Sequence, residues 1–206
     1  MPGWHARTLD EVIRLLHRDM GAVSSRGAWY LLYVNGDYKG VYNMVERLDE
    51  DFLQASKGED EWDILRTGGE VVCGTADDWR LLCEYASQHD LSRAKHYGVV
   101  SEKLDLESFT AYLILNLWAQ NEDWPHNNWY AARPRRADGK WFFLTWDAEY
   151  SLGLRPQGYQ ANSIAYMMSP NGRRRGPGGT YLRLLFSALV KTRTTGSTSS
   201  PRPCAT

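Results

Sequence analysis

Residues 121–153 read NEDWPHNNWYAARPRRADGKWFFLTWDAEYSLG and combine many polar residues with an aromatic framework. The first half of this stretch places Asp123 five residues before Asn128, with a proline and a histidine between them. The second half contains an apolar run over residues 141–146 that ends on Asp147. A loop that leaves a helix can direct the first two polar side chains into one cleft. The Ala-Asp-Gly turn then predicts a two-stranded ribbon that brings Asp147 alongside them.

An Asp, an Asn five residues later and a hairpin that ends on a second Asp form the layout of a protein-kinase catalytic core. In that layout the first Asp orients and deprotonates the acceptor hydroxyl, while the Asn and the second Asp hold the metal on the phosphates. Mg²⁺ prefers hard oxygen ligands, and few protein ligands are needed when phosphates supply the others. The spacing by itself also occurs in unrelated proteins, so it favours this chemistry only weakly.

Two parts of the chain carry a more specific pattern. Residues 30–53 read YLLYVNGDYKGVYNMVERLDEDFL, and residues 121–134 and 140–153 read NEDWPHNNWYAARP and KWFFLTWDAEYSLG. In this order the stretches resemble the CotH kinase family, a group of atypical kinases named for a bacterial spore-coat protein. The resemblance implies an α+β, atypical protein-kinase-like fold, here with an incomplete N-terminal part and C-terminal lobe. It also implies binding of ATP with Mg²⁺ or Mn²⁺ and phosphorylation of Ser or Thr in a protein substrate.

The loop supplies the candidate catalytic base and one candidate metal ligand. Asp123 is the candidate base, because a carboxylate there could accept the acceptor's proton or orient its hydroxyl. A turn or helix-cap role is the alternative, and Asp often fills it. Asn128 is the candidate metal ligand, and its neighbour Asn127 could exchange roles with it. Trp124 and Trp129 are expected to pack.

The other candidate site residues follow predicted strands. Asp147 comes after an aromatic strand, which would place its carboxylate at the strand end, and it is the second candidate metal ligand. Glu149 lies on the same side two residues later and is a weaker candidate for the metal. Glu46 is expected to contact the nucleotide, or a lysine that does so, and a surface Glu at a strand end is the alternative. Arg133 could neutralise phosphate charge or lie on the surface.

Composition limits the other classes of function. The 206 residues fit one domain, and 43% of them are hydrophobic, which is enough for a sizeable core. A formal net charge of −1 does not favour a nucleic-acid partner. No apolar run is long enough for a membrane span or resembles a signal peptide. The chain is therefore expected in the cytoplasm if its N-terminus is natural, and the family resemblance also allows a spore-coat or extracellular location.

The three cysteines, Cys73, Cys83 and Cys204, form no CxxC motif, so a disulfide framework and a zinc site are both disfavoured. Two buried thiols are the preferred interpretation of Cys73 and Cys83.

The ends of the chain raise an alternative function. We expect a partial kinase-like domain over residues 1–190, followed by a disordered Ser/Thr/Pro-rich tail at 191–206, and a truncated or frame-shifted chain near Leu189. Family members carry a lysine before the VNG hairpin, but no lysine precedes Lys39 here. The alternative is therefore a catalytically inactive kinase-like module that binds a protein partner in a coat or surface assembly. A metal-dependent hydrolase is disfavoured because no His pair accompanies the acids.

Local patterns predict the remaining elements. An Asn-Gly turn joins strands 29–34 and 39–45 in a hairpin. A helix at 8–20, with Thr8 as its N-cap, is expected only to pack. The helix that begins after Asp105 is apolar almost all round and is expected to be buried. Other predicted elements are helices at 47–54, 76–87 and 181–190, a short strand at 62–65, and a long loop at 155–179.

Overall fold

The computed structural model describes residues 3–58, 61–153, 162–168 and 180–194. Helices and antiparallel sheets follow one another along these residues, so the fold is α+β, as predicted. None of the helices in these ranges is long and apolar enough to cross a membrane.

The first helix, α1, spans Gly3–Asp19 and begins five residues earlier than predicted. Thr8 lies inside this helix, so the prediction that it is the N-cap is wrong. The sequence before Thr8 contains Trp, His, Ala and Arg, none of which breaks a helix, so the helix continues through them.

A hairpin follows α1 and confirms the prediction from the Asn-Gly turn. Strand β1, Gly27–Val34, pairs antiparallel with β2, Asp37–Val45. The two turn residues, Asn35 and Gly36, have φ angles of 52° and 86°, as a two-residue hairpin turn of type I′ requires. Most side chains of β1 are exposed on both faces of the ribbon.

A second antiparallel sheet joins the two halves of the sequence. Its strands are β3 at Trp62–Arg66, β4 at Glu70–Cys73, β5 at Trp129–Pro134 and β6 at Phe142–Thr145. Within the described residues their order is β4-β3-β5-β6. The β5–β6 pair is the ribbon predicted from the sequence, and its pairing with β3 ties the ribbon to the first half of the chain.

Helices surround this sheet. They are α2 at Glu50–Lys57, α3 at Asp77–Gln88, α4 at Ala94–Lys103, α5 at Leu106–Trp118, α6 at Ser163–Met168 and α7 at Thr180–Thr194. Helix α6 lies within the predicted loop 155–179, and the rest of that loop is largely outside the described residues. Helix α7 continues four residues past the predicted start of the tail, and residues 195–206 lie outside the described residues.

Aromatic side chains fill the main core, between one face of the sheet and helices α3, α5 and α7. The ring of Trp79 lies 6.0 Å from that of Trp129, 5.3 Å from Trp141 and 5.9 Å from Phe143. Such packing of large rings supplies much of the apolar area that folding removes from water. A second cluster covers the other face of the sheet and includes Leu48, Leu53, Trp62, Ile64, Tyr130 and Leu144.

Three predictions about packing need correction or refinement. Helix α5 is buried on one side only, since Ile114 is 55% exposed and Trp118 is 62% exposed. Arg133 does not lie free on the surface, because it forms ion pairs with the buried Asp63 and with Asp78, and a phosphate-neutralising role for it stays a prediction. The thiols at positions 73 and 83 are both free, but only the second is fully buried.

Candidate functional site

The buried side of helix α5 anchors the loop that contains Asp123. Asn116 on α5 donates from Nδ2 to the carbonyl of Tyr112 at 2.9 Å and accepts a hydrogen bond from Asn121 Nδ2 at 3.1 Å. Trp124, which is 3% exposed, donates from its indole nitrogen to the Tyr112 hydroxyl at 3.0 Å. The residues on both sides of Asp123 are therefore bound to α5, which restricts where its carboxylate can go. Trp124 packs as predicted.

Asn128 and Asp147 are brought together by the β5–β6 ribbon. Nδ2 of Asn128 donates to the backbone carbonyl of Asp147 at 2.9 Å, across 19 residues of sequence. Both residues have a positive φ, 59° for Asn128 and 51° for Asp147. Asn and Asp are the non-glycine residues that most often occupy this left-handed region. Because the side-chain amide uses its nitrogen in this contact, the Asn128 Oδ1 atom remains as an acceptor or metal ligand.

Four carboxylates share this region. The pKa of Asp147 is raised from 3.8 to about 6, first by partial removal from water and then by the negative charges of Glu149, Asp10 and Asp123. Like charges disfavour ionisation of a neighbouring acid, and Glu149, Asp10 and Asp123 are the charges that act on Asp147 in this way. Asp10 thus joins the acids that the sequence analysis named, and the roles of those acids at a site stay predictions.

Asp10 is the residue that the sequence analysis missed. Its Oδ1 accepts a hydrogen bond from the backbone N–H of Ala148 at 2.8 Å, and its Oδ2 accepts one from Arg14 Nε at 3.0 Å. Helix α1, which we expected only to pack, thus places a carboxylate against the turn that contains Asp147. The only sequence signal was an acidic residue beside the apolar stripe of an amphipathic helix, and such a residue is usually solvent-exposed.

Glu46 lies at the base of the hairpin and is exposed. Its carboxylate accepts a hydrogen bond from the backbone N–H of Arg26 at 2.7 Å, and its own N–H donates to the Arg26 carbonyl at 3.0 Å. These two bonds extend the pairing of β1 and β2 by one residue. Glu46 is not one of the charges that raise the pKa of Asp147. A nucleotide-binding role for Glu46 therefore stays a prediction.

The metal-ligand assignments also stay predictions. Within the part of the chain that the structure describes, no three His, Cys, Asp or Glu side chains form a group that could hold a metal by themselves. The oxygen donors available at the ribbon end are the carboxylates of Asp147 and Glu149 and the amide oxygen of Asn128. These are hard ligands of the kind that Mg²⁺ and Mn²⁺ take.

Comparison with known proteins extends the resemblance over most of the chain. A family model described as CotH kinase protein matches residues 9–183, a range that contains most of α1, both sheets and every candidate site residue. No curated protein is similar enough to this chain to count as a match. The family match confirms the family that the quoted stretches resemble and includes Asp10 within the matched range.

Proposed function

The chain belongs to the CotH kinase family, which is kinase-like, and from this premise we propose that it transfers the γ-phosphoryl group of ATP to Ser or Thr hydroxyls of a protein. The observation that carries the proposal is the grouping of Asp123, Asn128 and Asp147 at one end of the β5–β6 ribbon. A coat or surface protein is the substrate class that the sequence resemblance suggests.

The donor set fits a divalent metal. The carboxylate of Asp147 and the Oδ1 atom of Asn128 would hold it, with Glu149 as a further ligand. Burial, and then the negative charges of Glu149, Asp10 and Asp123, raise the pKa of Asp147, and a bound metal would offset those charges. When bound, Mg²⁺ or Mn²⁺ supplies positive charge that stabilises the phosphates during transfer.

Asp123 is proposed to act on the acceptor. Its carboxylate would orient the Ser or Thr hydroxyl and accept the hydroxyl proton. The hydroxyl oxygen then forms a bond to the γ-phosphorus, while the bond from that phosphorus to the bridging oxygen breaks and ADP leaves. The anchoring of the flanking Asn121 and Trp124 to α5 would keep the carboxylate in a fixed position during this step.

Glu46 is proposed to contact the nucleotide from the base of the hairpin. Its bonds to the Arg26 backbone hold its carboxylate at a fixed place, as a binding residue requires. The prediction is that Glu46→Gln weakens ATP binding several-fold and leaves the fold unchanged.

A specific observation also favours the second candidate, a kinase-like module that binds a protein partner without catalysis. The hairpin exposes several large apolar side chains, and exposed apolar surfaces of this kind often mark protein interfaces. These side chains are Trp29, Tyr30, Leu31, Tyr33, Tyr38 and Met44.

Thermal unfolding with and without ATP plus Mg²⁺ or Mn²⁺ tests the proposal. A ligand that binds only the folded protein stabilises it by about 2.7 kcal/mol at a hundred times its dissociation constant. We expect a metal-dependent rise in Tm that Asp147→Ala removes, followed by transfer of labelled phosphate from ATP to a protein acceptor. A cooperatively folded chain whose Tm does not respond would instead support the non-catalytic module.

A further inference from the structure

A partly buried hydrogen bond connects helix α1 to the turn that contains Asp147. The Asp10 carboxylate accepts from the backbone N–H of Ala148 at 2.8 Å, and 138 residues of sequence separate the two. Ala148 is fully buried, so its N–H needs a partner inside the protein. A hydrogen bond to an ionised carboxylate is stronger than one to a neutral acceptor. Asp10 therefore fixes the backbone directly after the candidate metal ligand.

Arg14 orients Asp10. The Arg14 side chain is 1% exposed, and its guanidinium lies 3.0 Å from Asp10 Oδ2 and 2.8 Å from Glu11 Oε2. The same guanidinium donates to Asn43 Oδ1 at 2.7 Å and to the Ser25 carbonyl at 3.3 Å. A planar guanidinium with this many acceptors has little freedom, so it holds one oxygen of Asp10 and leaves the other for Ala148.

The Asp147 turn needs such a support. Asp147 has a φ of 51°, a conformation that non-glycine residues seldom adopt. The neighbouring charges of Glu149, Asp10 and Asp123 also repel its carboxylate. Strained, like-charged positions persist where the surrounding structure holds them. The bond from Asp10 acts on the next residue along the chain, where it limits rotation of the turn.

We propose that Asp10 is a positioning residue, which holds the Asp147 turn in the geometry that binds the metal–ATP complex. The inference rests on the proposed function for its ligand, and on the Asp10–Ala148 and Asp10–Arg14 contacts for its geometry. Groups that orient a metal ligand typically change metal affinity by about 10- to 100-fold when removed.

Three variants separate positioning from simple stabilisation. Asp10→Ala removes both the Ala148 bond and one ion pair of Arg14. Asp10→Asn keeps an oxygen acceptor for Ala148 and loses the ion pair. Glu11→Ala is the matched control on the adjacent residue, because it also removes an acidic partner of Arg14 but leaves the Ala148 bond in place.

The measurements are amide hydrogen exchange of Ala148 in the protein without ligand and the dissociation constant of Mn²⁺–ATP by calorimetry. In Asp10→Ala we expect exchange at Ala148 to accelerate and the dissociation constant to rise by about tenfold or more. In Asp10→Asn and Glu11→Ala we expect both quantities to stay within about threefold of wild type, even where Tm falls.

Equal weakening of Mn²⁺–ATP binding in all three variants would assign Asp10 to stability alone and overturn the inference. Unchanged exchange at Ala148 in Asp10→Ala would overturn it as well. If the wild-type chain binds no metal–ATP complex, the proposed function fails, and exchange at Ala148 still decides whether Asp10 holds the turn.

Discussion

Asp147 shows how a single residue can be unfavourable for stability and suited to binding. It occupies the left-handed region, and burial together with neighbouring carboxylates raises its pKa to about 6. At neutral pH, ionising the Asp147 carboxyl therefore costs more free energy in the folded chain than in the unfolded chain, and this cost lowers the stability of the fold. Such residues are common where a protein keeps a charged group ready for a ligand.

Asp147→Asn should stabilise the protein without ligand at pH 7 by about 1 kcal/mol, since solvent screening reduces the full effect of the shift. Asn resembles the neutral acid and accepts a positive φ. Because the pKa of Asp147 is raised in the folded chain, the cost of ionising Asp147 is absent below pH 4 and complete above pH 6 in the wild-type protein. Denaturant unfolding at pH 4.5 and 7.5 should show a difference from wild type that grows with pH. A variant that is less stable than wild type at both pH values would contradict this account.

Asp123→Ala should preserve metal–ATP binding and reduce phosphoryl transfer by about 10²- to 10⁴-fold, the range associated with a general base. The physical reason is that Asp123 is proposed to act on the acceptor hydroxyl and not on the nucleotide. Calorimetry with Mn²⁺–ATP and a labelled-phosphate assay measure the two effects separately. Asp138→Ala, at an exposed acid in the β5–β6 turn, is the control and should change neither. Parallel loss of binding and transfer in Asp123→Ala would argue against a base.

At the scale of the element, α5 supports the loop that contains Asp123. Asp105 caps the helix, since its carboxylate accepts from the Ser108 N–H at 3.0 Å. The opposite end of α5 leads to the loop through Asn116 and Asn121. The cap and the contact with the loop therefore lie at opposite ends of one helix.

Asp105→Ala should lower the free energy of unfolding by about 1 kcal/mol, the usual cost of losing a side-chain cap. Asp105→Ser should restore most of that loss, because a Ser hydroxyl can accept the same bond. Urea unfolding of both variants checks the expectation. Since the cap is at the far end of α5, the affinity for metal–ATP should not change. A Ser variant as unstable as the Ala variant would show that the cap is not what Asp105 contributes.

At the scale of the whole molecule, His17 lies where three elements meet. Its Nδ1 is 2.8 Å from the Thr145 hydroxyl on β6, and its ring is 5.8 Å from that of Tyr112 on α5. The side chain is fully buried, and burial lowers its pKa from 6.5 to about 4. The folded protein therefore holds His17 neutral at a pH where the unfolded chain would protonate it.

Acidification should destabilise the protein through His17. Because the pKa of His17 is lower in the folded chain, the contribution of the neutral His17 to the free energy of unfolding is complete above pH 6.5. This contribution is lost as the pH falls toward 4. Between pH 7 and pH 4.5 the loss should be about 2 kcal/mol. Denaturant unfolding of wild type and His17→Gln at both pH values measures it, since the variant lacks this titration and should lose less stability. Equal losses in the two proteins would show that His17 does not contribute to the acid sensitivity.

The parts that the sequence predicted correctly depend on local rules. The Asn-Gly turn specified the hairpin, because its residues accept positive φ and few other turns fit the strand twist. The sequence also predicted that Asp123 and Asn128 lie on a loop and that Asp147 follows a two-stranded ribbon, because a short hairpin brings its own ends together. The predicted start of α1 was wrong, because capping residues such as Thr also occur inside helices.

The sequence by itself thus determined most of the elements, the α+β class, the family and the order of the candidate site residues. The tertiary structure alone decided that Asp10 contacts Ala148 and that Arg133 is enclosed by Asp63 and Asp78. Local structure follows from propensities and periodicity over a few residues, which can be read from a single chain. Contacts across more than a hundred residues depend on how helices and sheets pack as a whole, and no local pattern encodes that packing.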